Sequence, residues 1–494
     1  MRALAISILF LALPGGEAHS QDTSTAAYRI EVPAADAAFL RVTASIPYAG
    51  GDVFVDSIQA DHLPRGWATF VRDLRVRDSS GRELALAPVD STAAWSLPSG
   101  VAGPLTLEYE IDLAFAREPY PPGNEQAGQA FEDALYLVTK PLFVVSEAVG
   151  AATVELSLPE GWEAAAPWER IEAPNGATES FRVPDNQSLL RNSLIVGRFG
   201  AVRIQDGGID LTLALPGEMR EVEALVQSAL AGPLRRYLEI FPEGPPGAYL
   251  MTFFYAAAED GESFLDSSAF TTTQPVRPDG AILWANFLAH ELLHYWIGQR
   301  IRGEDYGTSQ WIGEGFTEYL ANLTLVREGS IDEPTFRRKA EKHVGNYLYY
   351  QWSSAFEVPI FEAGRRKGYN RFGVYDGGWV IAACLDARLR QRSDGVRTFE
   401  DLLGALWSEF GRPGIPFSHD EFVATASEVA GEDLSGFFAE HVVARETLPV
   451  EACLRTLGYT VYAKPYAGEA YLAPSDDVAV ASWLETTPGD RTRD

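Results

Sequence analysis

Two histidines and two glutamates in the segment 287–320 have the types and spacing of a metal site. His290, Glu291 and His294 form an H-E-x-x-H motif inside an apolar run. Residues four apart share one face of an α-helix, so both imidazoles can reach one ion. Zn²⁺ accepts two imidazoles and a carboxylate and keeps a fourth position for water. The motif therefore predicts a zinc site, with Glu291 free to take a proton from water.

The remaining protein ligand is expected from the run W-I-G-E-G-F-T-E-Y, which contains Glu314. Glu318 follows one helical turn later and would lie on the same face. Such a carboxylate can accept the outer N–H of a ligating histidine and fix its tautomer. The alternative for Glu318 is simple exposure to solvent.

Two helices must position these groups. We expect the motif helix over 282–298, ending near a glycine, which is a poor helix residue. A second helix is expected over 310–328, with Thr308 or Ser309 as its N-cap and Gly329 after its end. A chance H-E-x-x-H match would rarely lie in an apolar helical run that is followed by an acidic helix.

The motif segments resemble a known class of enzymes. H-E-L-L-H-Y-W-I-G followed by W-I-G-E-G-F-T-E-Y-L is similar to the gluzincin zinc metallopeptidases, which include the aminopeptidase N family. The continuation E-G-F-T-E-Y-L-A-N-L-T-L-V-R-E-G and the segment 375–386 more closely resemble the glycyl aminopeptidase family of that clan. The resemblance implies a thermolysin-like catalytic domain, a zinc cofactor, and His290, His294 and Glu314 as its ligands.

The same resemblance suggests two further site residues. Tyr375 precedes a Gly-containing turn, where the clan's tyrosine donates its phenol to the oxyanion of the reaction; a plain core tyrosine is the alternative. The glycyl aminopeptidases carry a Gly-Gly-Leu-Glu-His stretch whose Glu would hold the substrate's amine. Here the segment reads D-G-E-S-F, which leaves Glu262 as the candidate. Strand 249–255 is a candidate for the edge strand that pairs with substrate in this class, and a strand that only fills the core is the alternative.

The fold expected is multidomain α+β. Residues 21–215 alternate with period two between turn residues, which predicts an antiparallel β-sandwich-like domain. Residues 216–457 carry helical periodicity and form the expected catalytic domain. The tail 458–494 is too short for the PDZ-like domain of some relatives, and should add a strand or lie on the catalytic domain.

The N-terminus and the overall charge predict location and exclude some partners. Residues 1–20 combine a basic start, a short apolar run and small residues, as in a secretory signal. No later stretch is long and apolar enough to span a bilayer, so we expect an exported periplasmic or extracellular protein. A net charge of −29 argues against nucleic acid as a partner. The expected partners are peptide substrates.

The chain has two cysteines, Cys384 and Cys453. They could pair in an oxidising compartment. A buried free thiol is the alternative for Cys384, because it lies on an apolar helical stripe. The sequence leaves both open.

Three functional hypotheses follow. The leading one is a secreted zinc aminopeptidase that removes small N-terminal residues, with Glu291 as general base. The second keeps this machinery without an amine anchor, which gives an endopeptidase or an enzyme of broad specificity. The third is a non-catalytic zinc-binding β-domain protein, against which Glu291 argues, because a structural site has no use for a base.

Overall fold

The computed structural model describes residues 25–484, except 35, 61, 122, 174–177, 207, 245, 279–280 and 477–479. The segment 1–20, interpreted above as a secretory signal, lies outside the described residues. The chain folds into an N-terminal β unit followed by a mainly helical unit, as the sequence predicts.

The N-terminal unit contains one seven-stranded and two four-stranded sheets around a shared core. In spatial order the large sheet consists of Glu169–Ile171, Glu179–Val183, Ala152–Ser157, Ala26–Glu31, Phe39–Ile46, Leu105–Asp112 and Val71–Arg77. One smaller sheet consists of Glu163–Ala165, Ser193–Gly197, Ala134–Val138 and Gly128–Ala130. The other consists of Val145–Ser146, Asp52–Phe54, Ala94–Ser96 and Ala87–Pro88. Pairing is antiparallel except between Ala26–Glu31 and Ala152–Ser157. Strict alternation of buried and exposed residues in Phe39–Ile46 shows why this half reads as period two.

A five-stranded sheet opens the second unit. Its spatial order is Gly200–Asp206, Ile209–Leu215, Ala248–Tyr255, Ser267–Thr272 and Asp260–Ser263. The first two of these strands, which the expected β domain of residues 21–215 would include, pair within the catalytic sheet and bury their apolar residues in its core. Alternation identifies a strand but not the sheet that it joins.

The structure decides between the two alternatives for strand 249–255. Ala248–Tyr255 is internal, paired with Ile209–Leu215 on one side and Ser267–Thr272 on the other. Asp260–Ser263 lies at the sheet margin, antiparallel to Ser267–Thr272, and we call it the edge strand. The continuous apolar run Y-L-M-T-F-F-Y was itself the signal of a strand buried on both faces.

The helices of the second unit share a core with this sheet. The α-helices are Glu223–Ile240, Ala281–Leu293, Tyr306–Gln310, Thr317–Arg327, Glu333–Trp352, Ile360–Ala363, Gly378–Arg392, Phe399–Leu406, His419–Ala430, Ser435–Phe438, Val450–Thr456 and Ala481–Leu484. Four π-helical turns extend or connect them, at Trp311–Phe316, Phe372–Gly377, Trp407–Gly411 and Ala439–Val443. Single π turns inside α-helices are frequent at functional sites.

The C-terminal segment packs on the catalytic unit. Tyr459–Lys464 and Glu469–Pro474 form a hairpin against the helix Glu333–Trp352. The backbone N–H of Leu472 donates to Glu341 of that helix at 2.9 Å. Cys384 and Cys453 form a disulfide that joins Gly378–Arg392 to Val450–Thr456, which decides between the two alternatives for the cysteines. Within the described residues, no helix has the length and apolarity needed to cross a membrane.

Candidate metal centre and active site

The motif helix, Ala281–Leu293, presents His290 and Glu291 at its C-terminal end. His294 follows in the turn after the helix, one residue beyond its end and short of the predicted end at 298. Gly298 closes this turn with a φ of 92°, a backbone conformation that favours glycine. The Nδ1–H of His294 donates to the carbonyl of Ile297 at 3.0 Å, which fixes its ring. The turn therefore positions His294 without a regular helix.

Glu314 lies on the next helical stretch, which we call the ligand helix: Tyr306–Gln310, Trp311–Phe316 and Thr317–Arg327 in succession. Its N-cap is Asp305, whose side chain accepts from the backbone N–H of Thr308, so the predicted cap at Thr308 or Ser309 is wrong. Thr308 and Ser309 lie inside the helix, which begins at Tyr306, so the residue before it provides the cap. Glu314 itself occupies the π-helical turn Trp311–Phe316.

Glycines allow this π turn to touch a second one. A Cβ at Gly315 would lie 2.4 Å from the Cα of Gly378, and a Cβ at Gly378 would lie 2.2 Å from the carbonyl oxygen of Trp311. Only glycine permits such an approach. The contact brings the turn of Glu314 against Phe372–Gly377, the π turn that carries Tyr375. The glycines in W-I-G-E-G-F and Y-D-G-G-W thus bring the two candidate site segments together.

The ligand atoms of His290, His294 and Glu314 converge. One ligand atom from each lies within 4.8 Å of the other two. Oε2 of Glu314 is 3.4 Å from Nε2 of His290 and 3.6 Å from Nε2 of His294. His290 and Glu314 are buried. Two imidazole nitrogens and one carboxylate oxygen at this spacing fit the donor set of a catalytic zinc site.

The outer nitrogens leave the inner ones free for a metal. Nδ1 of His290 lies 2.9 Å from Oε2 of Glu318, and Nδ1 of His294 is occupied by Ile297. Donation from both Nδ1–H groups leaves the Nε2 lone pairs pointing at the shared space. The side chain of Glu318 therefore lies against His290 and is 14% exposed.

The electrostatics of this space favour a cation. Burial lowers the pKa of His290, but hydrogen bonds with Glu314 and Glu318 outweigh it and raise the pKa to about 10. Burial raises the pKa of Glu314, while Lys367 and the two histidines hold it well below its ordinary value. The negative charge that would keep a proton on His290 equally favours a metal cation in its place.

A buried chain of polar groups extends beyond Glu318. His343 Nε2 lies 3.5 Å from Oε1 of Glu318, and its Nδ1 lies 2.7 Å from Oδ1 of Asp376. The ring of His343 stacks on Trp379 at 5.1 Å between centroids. Since Asp376 follows Tyr375, this chain links the ligand His290 to the turn of the candidate catalytic tyrosine.

Lys367 is a site residue that the sequence analysis missed. Its ammonium contacts Oε1 of Glu314, the oxygen turned away from the histidines. It also lies 5.4 Å from the ring centroid of Tyr375. Its signal in the sequence was a position in the run G-R-R-K-G-Y-N-R, which stands out in an acidic chain but matches no spacing rule.

Tyr375 lies beside His290 of the candidate metal centre. Its ring stacks on that of His290, with 6.3 Å between centroids and 25° between planes. Burial raises the pKa of Tyr375 and Glu314 raises it further, so the phenol keeps its proton at neutral pH. A protonated phenol can donate a hydrogen bond to developing negative charge.

Glu291 lies beside the edge strand. A Cβ at Gly261 would lie 3.4 Å from Oε2 of Glu291. Burial raises the pKa of Glu291, and His294 and His290 only partly offset this. A carboxylate with a raised pKa is better suited to take up a proton and return it than an exposed one.

Glu262 is the next residue along the edge strand. Its Oε1 accepts a hydrogen bond from Nε2 of Gln59 at 2.8 Å. The side-chain oxygen of Gln59 accepts in turn from the buried ammonium of Lys140. Burial raises the pKa of Glu262, while Gln59 and Lys140 lower it. Among the described residues no donor bonds to Oε2 of Glu262, so that oxygen is available to a ligand.

Glu125 of the N-terminal unit is a second carboxyl group in this region. It is 2% exposed, its Oε1 has no partner within the described chain, and its short helix packs on the edge strand. Burial raises its pKa to about 7, and the charges of Asp260 and Glu262 add to the shift. Both units therefore contribute acidic groups near the edge strand.

Comparison with known proteins is consistent with this arrangement. The model of the M61 glycyl aminopeptidase family matches residues 284–355, and that of the Peptidase M61 N-terminal domain matches residues 27–197. No curated protein matches the sequence.

Solved structures share the fold. An aminopeptidase N family protein from Idiomarina loihiensis superposes with a TM-score of 0.72 at 19% identity, over 88% of this chain and 79% of that one. An M1 zinc metallopeptidase from Deinococcus radiodurans gives a TM-score of 0.52 at 16% identity, over 86% of this chain and 95% of that one. At these identities the likeness concerns the fold.

The fold is that of the M61/M1-like metallopeptidases, and two separate stretches of the chain match models of M61 peptidase domains. Within that class, the resemblance to the M61 glycyl aminopeptidases that the motifs indicated is confirmed in both the β unit and the catalytic unit.

Proposed function

We propose that this protein is a zinc-dependent aminopeptidase that removes small residues from the N-termini of peptides. Support for zinc comes from the converging nitrogens of His290 and His294 and the carboxylate of Glu314. Support for small N-terminal residues comes from the matched family, whose name specifies glycyl aminopeptidase activity.

The chain's own groups supply the proton transfers. A bound zinc ion would polarise the scissile carbonyl and make a water molecule more acidic. Glu291 accepts the proton of the attacking water and passes it to the departing amine. Tyr375 donates its phenol to the carbonyl oxygen as charge develops there. The edge strand offers backbone groups for an extended peptide next to Glu291.

The observation that carries the aminopeptidase assignment is the position of Glu262. It follows Gly261, the residue beside Glu291, on the edge strand, and the charge of Lys367, the cation that contacts Glu314, lowers the pKa of Glu262. A peptide α-amine is cationic over most of the neutral range and needs a carboxylate or carbonyl to hold it. The open Oε2 of Glu262 meets that need, and Glu125 adds to the acidic character of the region.

Cleavage of free and N-acetylated peptides tests the assignment. If Glu262 holds the amine, acetylation should lower kcat/KM by about ten- to hundredfold, the loss of one charge-assisted hydrogen bond of about 1.5–3 kcal/mol. Glu262→Gln should narrow the difference between the two substrates. The control is Glu259→Gln, which removes the same charge from an exposed residue three positions earlier.

A second function is favoured by one observation. Glu262 already accepts a hydrogen bond from Gln59, whose amide oxygen accepts one from Lys140. Part of the negative charge of Glu262 is therefore compensated within the protein. If that engagement prevents amine binding, the enzyme is an endopeptidase of broad specificity. Equal cleavage of free and acetylated peptides by the unmodified enzyme would establish this alternative.

We further propose that the protein is exported. The disulfide between Cys384 and Cys453 supports an oxidising compartment, where such bonds persist. The basic and apolar start of the sequence supports cleavage after Ser20. Determination of the N-terminal residue of the protein recovered from its native compartment tests both points, and an intact Met1 there would contradict export by cleavage.

A further inference from the structure

A short basic segment lies at the active site of a strongly acidic protein. Residues 365–371 read R-R-K-G-Y-N-R in a chain with a net charge of −29. Arg365 pairs with Glu362 and Asp305, and Lys367 pairs with Glu314. These two cations are neutralised by the protein itself.

The other two cations of the segment have no such partner. Arg366 and Arg371 are both exposed, and among the described residues neither has a carboxylate within ion-pair distance. The guanidinium carbon of Arg371 lies 4.8 Å from the ring centroid of Tyr375, and that of Arg366 lies 5.0 Å from the ring of Tyr369. Each side chain is therefore held against an aromatic face, and one of those faces belongs to the candidate oxyanion donor.

The backbone of the segment is fixed. The N–H groups of Tyr369 and Asn370 both donate to the carbonyl of Arg366, at 3.0 Å each. The buried side chain of Asn370 donates to the carbonyl of Ala363 at 3.3 Å. The two free guanidinium groups are thus presented from an ordered turn, which lowers the entropy cost of binding a ligand.

The surroundings of the candidate metal centre consequently carry opposite charges on different elements. The edge strand supplies the carboxylate of Glu262, and the basic segment supplies Arg371 next to Tyr375 and Arg366 against Tyr369. A cationic amine is attracted to Glu262 and repelled by the two arginines, whereas a carboxylate is attracted to the arginines and repelled by Glu262. A short peptide carries both charges, one at each end.

We propose that Arg366 and Arg371 bind a carboxylate of the substrate on the C-terminal side of the cleaved bond. This inference rests on the proposed aminopeptidase function and adds a substrate class to it, namely short peptides with a free C-terminus or peptides with an acidic residue after the cleaved bond. Planar guanidinium groups match a carboxylate in a two-pronged geometry. Both substrate types present a carboxylate, and two series of substrates distinguish a C-terminal carboxylate from that of an acidic side chain.

The test compares kcat/KM for Ala-Ala-Ala, its C-terminal amide, and the amide of Ala-Ala-Asp. The unmodified enzyme should cleave the free acid about ten- to hundredfold better than the amide, the effect of one charge-assisted hydrogen bond. An α-carboxylate site favours only Ala-Ala-Ala, while a site for acidic side chains also favours the amide of Ala-Ala-Asp. In either case Arg366→Gln with Arg371→Gln should abolish the preference, and Arg371→Lys should retain part of it.

A matched control separates local from general charge effects. Arg75 is exposed on the strand Val71–Arg77 of the N-terminal unit and has no ion pair among the described residues. Arg75→Gln removes the same charge far from the catalytic helices and should leave the acid-to-amide ratio unchanged. If the free acid and both amides are cleaved equally by the unmodified enzyme, the carboxylate site is wrong, while cleavage of the amides still supports the aminopeptidase.

Binding provides a readout that does not depend on turnover. Zinc-loaded Glu291→Gln protein should bind intact Ala-Ala-Ala more tightly than its amide in calorimetric titration. Adding the two arginine substitutions to that protein should weaken only the free acid, by about ten- to hundredfold. Equal affinities for acid and amide would overturn the proposal even if no peptide in the series were cleaved.

Discussion

The ammonium of Lys367 contacts Oε1 of Glu314, while Oε2 of the same carboxylate faces the Nε2 atoms of His290 and His294. The carboxylate is therefore shared between a protein cation and the candidate metal centre. Only one of its oxygens remains for a metal ion, which favours coordination through a single oxygen. Lys367 is a positioning residue in this arrangement.

Substitution of Lys367 by Met should release Oε1 of Glu314 and allow both oxygens to coordinate. We expect the Co²⁺-substituted Lys367→Met protein to lose visible absorption intensity, because coordination number rises from four toward five. Lys367→Arg keeps the positive charge and should retain the original spectrum. Identical spectra for the unmodified, Met and Arg proteins would show that Lys367 does not control the carboxylate.

Removal of Glu318 should weaken metal binding without removing a ligand. Glu318→Gln loses the negative charge that orients His290, and such changes commonly cost about 10–100-fold in metal affinity. His294→Ala removes a ligand and should abolish stoichiometric zinc. Both are measured by competition with a chromogenic chelator, with Glu328→Gln at the end of the same helix as the control. Full zinc retention by His294→Ala would contradict the ligand set.

Tyr375→Phe should preserve the fold and the metal while lowering kcat more than it raises KM. The phenol's hydrogen bond strengthens only as negative charge develops on the carbonyl oxygen, and one such donor is typically worth about 10²–10³ in rate. Steady-state kinetics on a free-amine peptide, together with a zinc assay, measure the effect. An unchanged kcat would reduce Tyr375 to a packing partner of His290.

Helical spacing explains why part of the centre could be predicted from the sequence. His294 was expected from its spacing to His290, and Glu318 from its spacing to Glu314, because helical periodicity fixes which side chains share a face. In the structure the motif helix ends at Leu293, and a turn places His294 beside His290. Lys367 and His343 could not be found in this way, since only tertiary packing brings them to Glu314 and Glu318. No local rule connects residues that far apart in the chain.

The errors in the fold have the same origin. The alternation in strand Ile209–Leu215 correctly predicted a strand, but its partner Ala248–Tyr255 lies beyond a helix and decides the sheet. The edge strand Asp260–Ser263 has little apolar content, so hydropathy gives no signal for it. The π turns at Glu314 and Tyr375 were also missed, because their sequences have the period of ordinary helices.

Removal of the disulfide should destabilise the catalytic unit. Cys384 and Cys453 are separated by 69 residues and both are buried. A cross-link over a segment of this length restricts the unfolded chain, and its loss typically costs about 2–5 kcal/mol. Cys384→Ala with Cys453→Ala should therefore unfold at lower denaturant concentration than the unmodified protein. The unmodified protein treated with reductant should shift to the same midpoint, and no shift in either would show that the bond contributes nothing.

The last prediction concerns Glu125, whose pKa burial raises from 4.5 to about 7. Between these two values the folded protein binds more protons at this site than the unfolded chain does. Stability from this group is therefore lost as pH rises from about 4.5 to about 7, and the loss is complete above that range. The full difference is on the order of 3 kcal/mol, since each pKa unit corresponds to about 1.4 kcal/mol.

Glu125→Gln removes the titration and keeps the shape of the side chain. Its free energy of unfolding should match that of the unmodified protein near pH 4, where the carboxyl group is neutral, and exceed it near pH 8, where the carboxylate is buried without a partner for Oε1. Glu118→Gln, at an exposed position nearby in the chain, should show no such divergence. Denaturant titrations at several pH values measure the difference. Parallel curves for the unmodified and Glu125→Gln proteins from pH 4 to pH 8 would contradict the raised pKa, because a group that titrates alike in both states cannot make stability depend on pH.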